Sequence, residues 1–243
     1  MAHTLFISDL HLSEEQPRTA EAFHRFMREV APRAEALYIL GDLFETWAGD
    51  DDVAHPFHRQ IVDAMQALSA GGTRLYLMHG NRDLLMGKQL ERECGATLLA
   101  DPALIDLYGR PTLLSHGDQL CTDDHAYQAG RRQVADPAWQ RQFLAQPLAA
   151  RKAFIAQLRA RSQDAKQKKS EEIMDVNSDA VLTLLRNHGY PNLIHGHTHR
   201  PAHHVIHVDG YTCNRWVLGD WDTRPNALYC DDAGNIRAEH FAG

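Results

Sequence analysis

Five short apolar runs in this chain each stop at a cluster of Asp, Asn or His. Leu5-Phe6-Ile7 leads into Ser8-Asp9-Leu10-His11, Leu37-Tyr38-Ile39-Leu40 into Gly41-Asp42, and Leu75-Tyr76-Leu77-Met78 into His79-Gly80-Asn81. Leu113-Leu114 leads into Ser115-His116-Gly117-Asp118, and Leu193-Ile194 into His195-Gly196-His197-Thr198-His199. None alternates apolar with polar residues, so each reads as a strand buried on both faces. Between the first runs, Ala22, Phe23, Phe26, Met27 and Val30 recur at helical spacing, as do Ile61, Ala64, Met65 and Leu68. Strand, helix, strand specifies an α/β layered fold. Ligands in such folds bind beyond the carboxyl ends of the strands, which is where all five polar clusters fall.

Those clusters supply seven candidate metal donors: Asp9, His11, Asp42, Asn81, His116, His197 and His199. Mixed imidazole nitrogen and carboxylate or amide oxygen suits manganese, iron or zinc and not calcium. The set exceeds what one catalytic ion needs. It fits two ions about 3.5–4 Å apart that share a carboxylate and clamp a phosphoryl group for in-line attack by hydroxide. Asp42, alone at the end of its strand, is the natural bridge. In HGHTH, alternate histidines on an extended segment fall on one side, and His195 reads as support behind the ligands. Asp83 reads as loop support, capping the helix that follows.

The remaining chain bounds the setting. A length of 243 residues with 44% hydrophobic and 23% charged residues suits one large domain, 1–243. Residues 119 to 190 break the strand–helix rhythm, so a helical insertion is expected at about 122–188. Its helices are expected over Ala138–Arg161 and Ile173–His188, joined by the basic stretch Asp164–Ser170. The tail turns to strand patterns, with a hairpin turn at Asp232–Asn235. Net charge is −7, yet residues 131 to 169 hold ten Lys or Arg against two Asp. Four scattered cysteines without a CxxC pair read as reduced thiols of a cytosolic protein. The start lacks a signal-peptide pattern, and no stretch approaches the roughly 20 apolar residues of a membrane span.

The order DLH, GDLFE, GNRD, HGD, HGHTH resembles the calcineurin-like metallophosphoesterases, whose pattern is DxH, GDxxD, GNHD, H, GHxH. The resemblance implies a two-sheet sandwich flanked by helices, an αββα arrangement. It implies one ion on Asp9, His11, Asp42 and His199, and a second on Asp42, Asn81, His116 and His197. Glu45 departs from the family's Asp and is expected to support the ligands from behind. Arg82 departs from a histidine that serves the leaving group. Arg does not give up its proton at working pH, but it neutralises charge and grips phosphate oxygens bidentately. An alkoxide leaving group needs a general acid, whereas a phosphate departs as a stable anion. Arg82 therefore favours a pyrophosphate substrate and acts as a phosphate clamp, unless a neighbour such as His195 donates a proton.

The longer strings GDLFETWAGDD, HGNRDLLMG, SHGDQLCTDD, IMDVN and LIHGHTHRPA resemble the branch of that family acting on UDP-2,3-diacylglucosamine in lipid A synthesis. That resemblance implies attack of metal-bound hydroxide on the α-phosphorus, giving UMP and 2,3-diacylglucosamine 1-phosphate, with manganese as cofactor. It implies substrate contacts at Asn81, Arg82, Asp124, Ser162, Lys166, Lys169 and His197. Asp123 competes with Asp124 for the sugar, Lys166 stands where the branch has a small amide, and Tyr127 faces the same site. The insertion is expected to be a lid that holds the acyl chains. Its interleaved Arg151, Lys152, Arg159 and Arg161 suit the anionic cytoplasmic face of the inner membrane. A nuclease or another phosphodiesterase of the family is the alternative, followed by a scaffold without activity. Few aromatics in the basic segment and an acidic chain overall weigh against a nucleic-acid partner. The oligomeric state stays open.

Overall fold

The computed structural model describes residues 2–166, 175–222 and 224–241, without the side chains of 161–166. Four strands run parallel in one sheet: β1 (His3–Ile7), β2 (Ala36–Leu40), β3 (Arg74–Met78) and β4 (Thr97–Leu99). A second sheet gathers β5 (Ala103–Leu107), β6 (Arg110–Ser115), β7 (Asn192–His195), β8 (Ala202–Val208) and β9 (Tyr211–Val217) in the order β5-β6-β7-β9-β8. Here β6, β7 and β9 are parallel and the two edge strands antiparallel. The last strands, β10 (Asn226–Asp231) and β11 (Ile236–His240), form a hairpin that extends the first sheet on the β1 side. The Asp231 carboxylate accepts the Ala233 and Asn235 amides and closes the expected turn.

Side chains alternate between the faces of a strand. Leu5, Ile7, Leu37, Ile39 and Leu77 point outward to α1 (Pro17–Glu29), α2 (Pro56–Ala70) and α3 (Lys88–Cys94), meeting Phe23, Phe26, Ile61 and Met65. Phe6, Leu40 and Met78 meet Leu114, Ile194 and Leu218 between the sheets. Both faces are covered, so the runs carry no polar alternation. The two mixed sheets lie between helical layers, the αββα sandwich expected from the sequence.

Between β6 and β7 lie α4 (His125–Ala135), α5 (Pro137–Leu144), α6 (Leu148–Lys166) and α7 (Ser178–Asn187). The helix expected over Ala138–Arg161 is two helices. The break lies at Ala145–Pro147, since a proline disfavours helical backbone in the residue before it. The helix expected from Ile173 begins at Ser178, because the Asn177 side chain caps it by accepting the Ala180 amide at 3.0 Å. Val181 and Leu185 of α7 pack on Leu113, Leu193 and Cys213, so α7 is the outer layer of the second sheet. Of the other three helices, α5 and α6 share an aromatic cluster of Trp139, Phe143 and Phe154, while α4 is tied to the core through Tyr127 and Arg131 on Asp118.

Arg151, Lys152 and Arg159 of α6, expected to suit an anionic membrane face, each meet an acidic partner within the protein. Arg151, only 2% exposed, donates to the Ala48 and Gln146 carbonyls and pairs with Asp51. Lys152 meets Asp52 at 2.5 Å, and Arg159 meets Glu45 at 3.1 Å. The Arg161 side chain lies outside the described residues. Removing a buried guanidinium orphans its acceptors. Arg151→Met should cost about 2–4 kcal/mol in chemical denaturation, and Asp51→Ala, which leaves the buried guanidinium without its counter-ion, should cost a comparable amount.

Candidate metal centre

The donors gather where β1, β2, β3, β6 and β7 end. Their backbone is unusual. Asp9, His11, Asp42, His197 and His199 all have positive φ, between 51° and 70°, five of eight non-glycine residues so placed among those described. Such conformations cost on the order of 1–3 kcal/mol each and persist only where neighbours fix them. Here the Leu10 and His11 amides both donate to the Asp42 carbonyl, at 2.9 and 3.0 Å, and the Asp9 amide donates to Gly41. Two glycines allow the close approach. A Cβ on Gly41 would stand 2.5 Å from His116 Nδ1, and one on Gly80 would stand 2.2 Å from Asp42 Oδ1.

Three imidazoles turn Nε2 inward because Nδ1 is held from behind. His11 Nδ1 is 2.9 Å from Glu45 Oε2, His116 Nδ1 is 2.9 Å from the Leu40 carbonyl, and His199 Nδ1 is 3.3 Å from Asp220. Such partners fix the orientation of a metal-ligating histidine. On the inner side, His199 Nε2 is 3.4 Å from both His11 Nε2 and Asp9 Oδ1. Asp42 reaches two ways: Oδ2 is 3.8 Å from His11 Nε2, and Oδ1 is 3.8 Å from His116 Nε2. Asn81 Oδ1 lies 3.1 Å from His116 Nε2. The His197 amide donates to Asp9 Oδ2 at 2.8 Å, and its ring lies 5.1 Å from that of His116.

Two groups thus bring their ligand atoms within 4.8 Å of one another, Asp9–His11–His199 and Asp9–Asp42–His116. The residues fit two divalent cations. Asp9 Oδ1, in a residue 0% exposed, makes no well-formed hydrogen bond and has the His199 ring at 3.4 Å beside it. Electrostatics point the same way. Burial opposes ionisation of Asp9, yet the surrounding His199, His116 and His11 hold its carboxyl well below the usual range. Burial pushes Asp42 up to about 6, against the pull of His116 and His11. Burial also opposes a charge on His116 and His199, but nearby carboxylates prevail and raise them to about 9 and about 10. Where no cation sits, these rings hold protons against the anions.

The other sequence-predicted residues divide. His197, lowered to about 3 chiefly by burial, presents a neutral ring. His195 is fully buried, with Nδ1 on the Gly196 carbonyl and Nε2 accepting from Arg215 at 3.1 Å, away from the cavity. Asp83 does not cap the following helix. Its oxygens accept the Gly80, Leu43 and Phe44 amides and tie the loops after β2 and β3 together. Asp124 caps α4 and lines the metal cavity, while Asp123 is held outside it by Asn177 at 3.0 Å. Ser162 and Lys166 have side chains outside the described residues, and Lys169 lies outside them altogether.

Sequence reading passed over Asp118, which takes Arg131 at 2.5 Å and the Tyr127 hydroxyl at 2.9 Å beneath the site. Its signal was the HGD string, read there for its histidine alone. Asp220 was hidden in a tail read as strand.

The geometry predicts the order of metal loss. Asp42→Asn should empty both positions in elemental analysis, while Asn81→Ala should empty one. His116 and His199 must lose protons to ligate, so metal affinity should rise with pH from neutrality toward about 9 to 10. Calorimetry in buffers of different ionisation enthalpy should register the protons released.

Residues 2–201 match the family model described as calcineurin-like phosphoesterase. A protein of Aromatoleum aromaticum named UDP-2,3-diacylglucosamine hydrolase is 57% identical over 98% of this chain and 96% of its own. Proteins of the same name from Cellvibrio japonicus and Escherichia coli are 52% and 51% identical, over 90% and 98% of this chain and 91% and 98% of theirs. Among the described residues, no helix is long and apolar enough to cross a membrane. With this match over residues 2–201 and these relatives, the chain belongs to the calcineurin-like phosphoesterase family, in the group of the proteins named UDP-2,3-diacylglucosamine hydrolase.

Proposed function

We propose that this chain hydrolyses the pyrophosphate of UDP-2,3-diacylglucosamine at the α-phosphorus, giving UMP and 2,3-diacylglucosamine 1-phosphate. One observation carries the reading. A polar cavity of about 440 Å³ over the metal donors adjoins an apolar cavity of about 380 Å³, and Asn81, Arg82 and Tyr127 line both. The apolar cavity is walled by Trp47, Leu84, Leu85, Trp139, Phe143 and Ile155, among others. A charged phosphoester site with an apolar annex matches a substrate carrying a pyrophosphate and fatty chains, as the relatives' name describes.

Two divalent cations, for which the family resemblance implies manganese, would supply an activated water and neutralise phosphoryl oxygens when bound. The side chains do the rest. Arg82 donates its amide to Asp42 Oδ1 at 2.7 Å, which sets the loop, and its guanidinium lies 3.2 Å from Glu45 Oε1 at the join of the cavities. From there it can grip the departing phosphate, whose charge it offsets without a proton transfer. His195 is unsuited to donate a proton, since burial lowers it to about 4 and both ring nitrogens face other groups. Tyr127 keeps its proton, as burial and Asp118 raise its hydroxyl well above the usual value.

We assign α4–α6 the role of lid over the acyl chains. Leu144, Phe154 and Leu158 stay 39–41% exposed on it and support peripheral contact with a membrane surface. Ser162, Lys166 and Lys169 remain proposed sugar-phosphate contacts beside Asp124.

In oxygen-18 water the label should appear in UMP, and label in the lipid phosphate would overturn the α-phosphorus assignment. Arg82→Ala should lower kcat/KM by about 10²- to 10³-fold while metal content holds. Each methylene buried in the annex contributes about 0.8 kcal/mol, roughly fourfold in affinity. KM should therefore fall as the acyl chains lengthen, and Ile155→Glu should flatten that dependence.

A further inference from the structure

The polar cavity has a second end that the reaction described so far leaves unused. Its lining includes Gln16, Thr198, Arg200 and Asp222, none of which touches the apolar annex. Sheet order places this end. Asn81 and Arg82 follow β3, Asp42 follows β2, Asp9 and His11 follow β1, and Asp222 precedes β10, in a sheet ordered β10-β1-β2-β3. Gln16 closes the loop after β1 and stands directly before α1. Strands lie about 4.8 Å apart, so β10 and β3 are separated by roughly 14 Å, with the metal donors between them. A pyrophosphate ester whose leaving phosphate rests on Arg82 and whose α-phosphorus sits over the donors must send its nucleoside the other way.

The chemistry of that end suits a nucleoside better than another phosphate. Asp222 gives this end a carboxylate, which accepts hydrogen bonds from a ribose diol well. The Trp221 amide donates to the Asp9 carbonyl at 3.2 Å, and the Asp222 amide to Asp220 Oδ1 at 3.0 Å, so the loop is fixed beside the centre. Gln16 lines the same cavity, and its Oε1 has no hydrogen-bond partner. A buried acceptor left unpaired costs about 1–3 kcal/mol, and a ligand donor removes that cost. Uracil offers an N3–H donor flanked by carbonyl acceptors, and a primary amide presents the complementary acceptor and donor. Arg200, held by Asp175 at 2.9 Å, forms the rim.

We propose that the Gln16–Thr198–Arg200–Asp222 end of the cavity binds the uridine half of the substrate, Gln16 reading the pyrimidine edge and Asp222 taking the ribose diol. This rests on the reading that the substrate is a uridine diphosphate ester.

The test compares product inhibition by UMP and by 2,3-diacylglucosamine 1-phosphate in the metal-loaded enzyme. Gln16→Leu should raise KM and the UMP inhibition constant together, by about tenfold, with inhibition by the lipid product unchanged. Gln16→Glu keeps the shape but loses the amide donor, and should act in the same direction. Asp222→Asn should shrink the preference for UMP over 2′-deoxyuridine monophosphate. Unchanged UMP inhibition in Gln16→Leu with a native melting temperature overturns the assignment. So does an equal loss of inhibition by the lipid product, which would mark general damage. A wild-type chain that leaves UDP-2,3-diacylglucosamine intact would instead sink the functional reading itself.

Discussion

Two carboxylates buried at neighbouring strand ends set the terms for the rest of the molecule. Asp9 is 0% exposed and Asp42 2%. Removing two anions from water side by side is costly unless cations and hydrogen bonds answer them. Parallel strands bring the two residues within one strand spacing, about 4.8 Å, close to the separation of paired catalytic ions. Left-handed backbone at the donors, glycines 41 and 80 at the crossing points and histidines braced from behind are the local terms on which that burial is met.

Much of this was legible in the sequence. Apolar runs without alternation reported strands covered on both faces, and the residues that stopped them reported the centre. The clustering of these side chains was readable because strand ends convert sequence position into spatial position. What escaped depended on contacts across the fold. Nothing local shows that Asp83 serves the loop after β2 and not its own following helix, or that Asp118 lies under His116 and His197. The basic stripe of α6 misled for the same reason. Composition states that Arg151, Lys152 and Arg159 are cationic, but only packing states which anions they meet.

Arg82 shows how a departure from a pattern can be informative. A side chain that keeps its proton narrows the leaving groups a site can serve. Its position where the charged and apolar cavities join gives that argument a place. The same loop carries Asn81 beside His116, so in the proposed reaction one strand end would serve both the ions and the departing phosphate.

Glu45 accepts from three directions: His11 Nδ1 at 2.9 Å, Arg82 at 3.2 Å and Arg159 of α6 at 3.1 Å. An anion shared in this way works like a balance arm. Movement of α6 that draws Arg159 away leaves more of the carboxylate's charge to His11, and so changes how strongly that ring donates to a cation. On the proposed reading, fatty chains seated under the helix would thereby have an electrostatic route to the reacting phosphorus without coming near it.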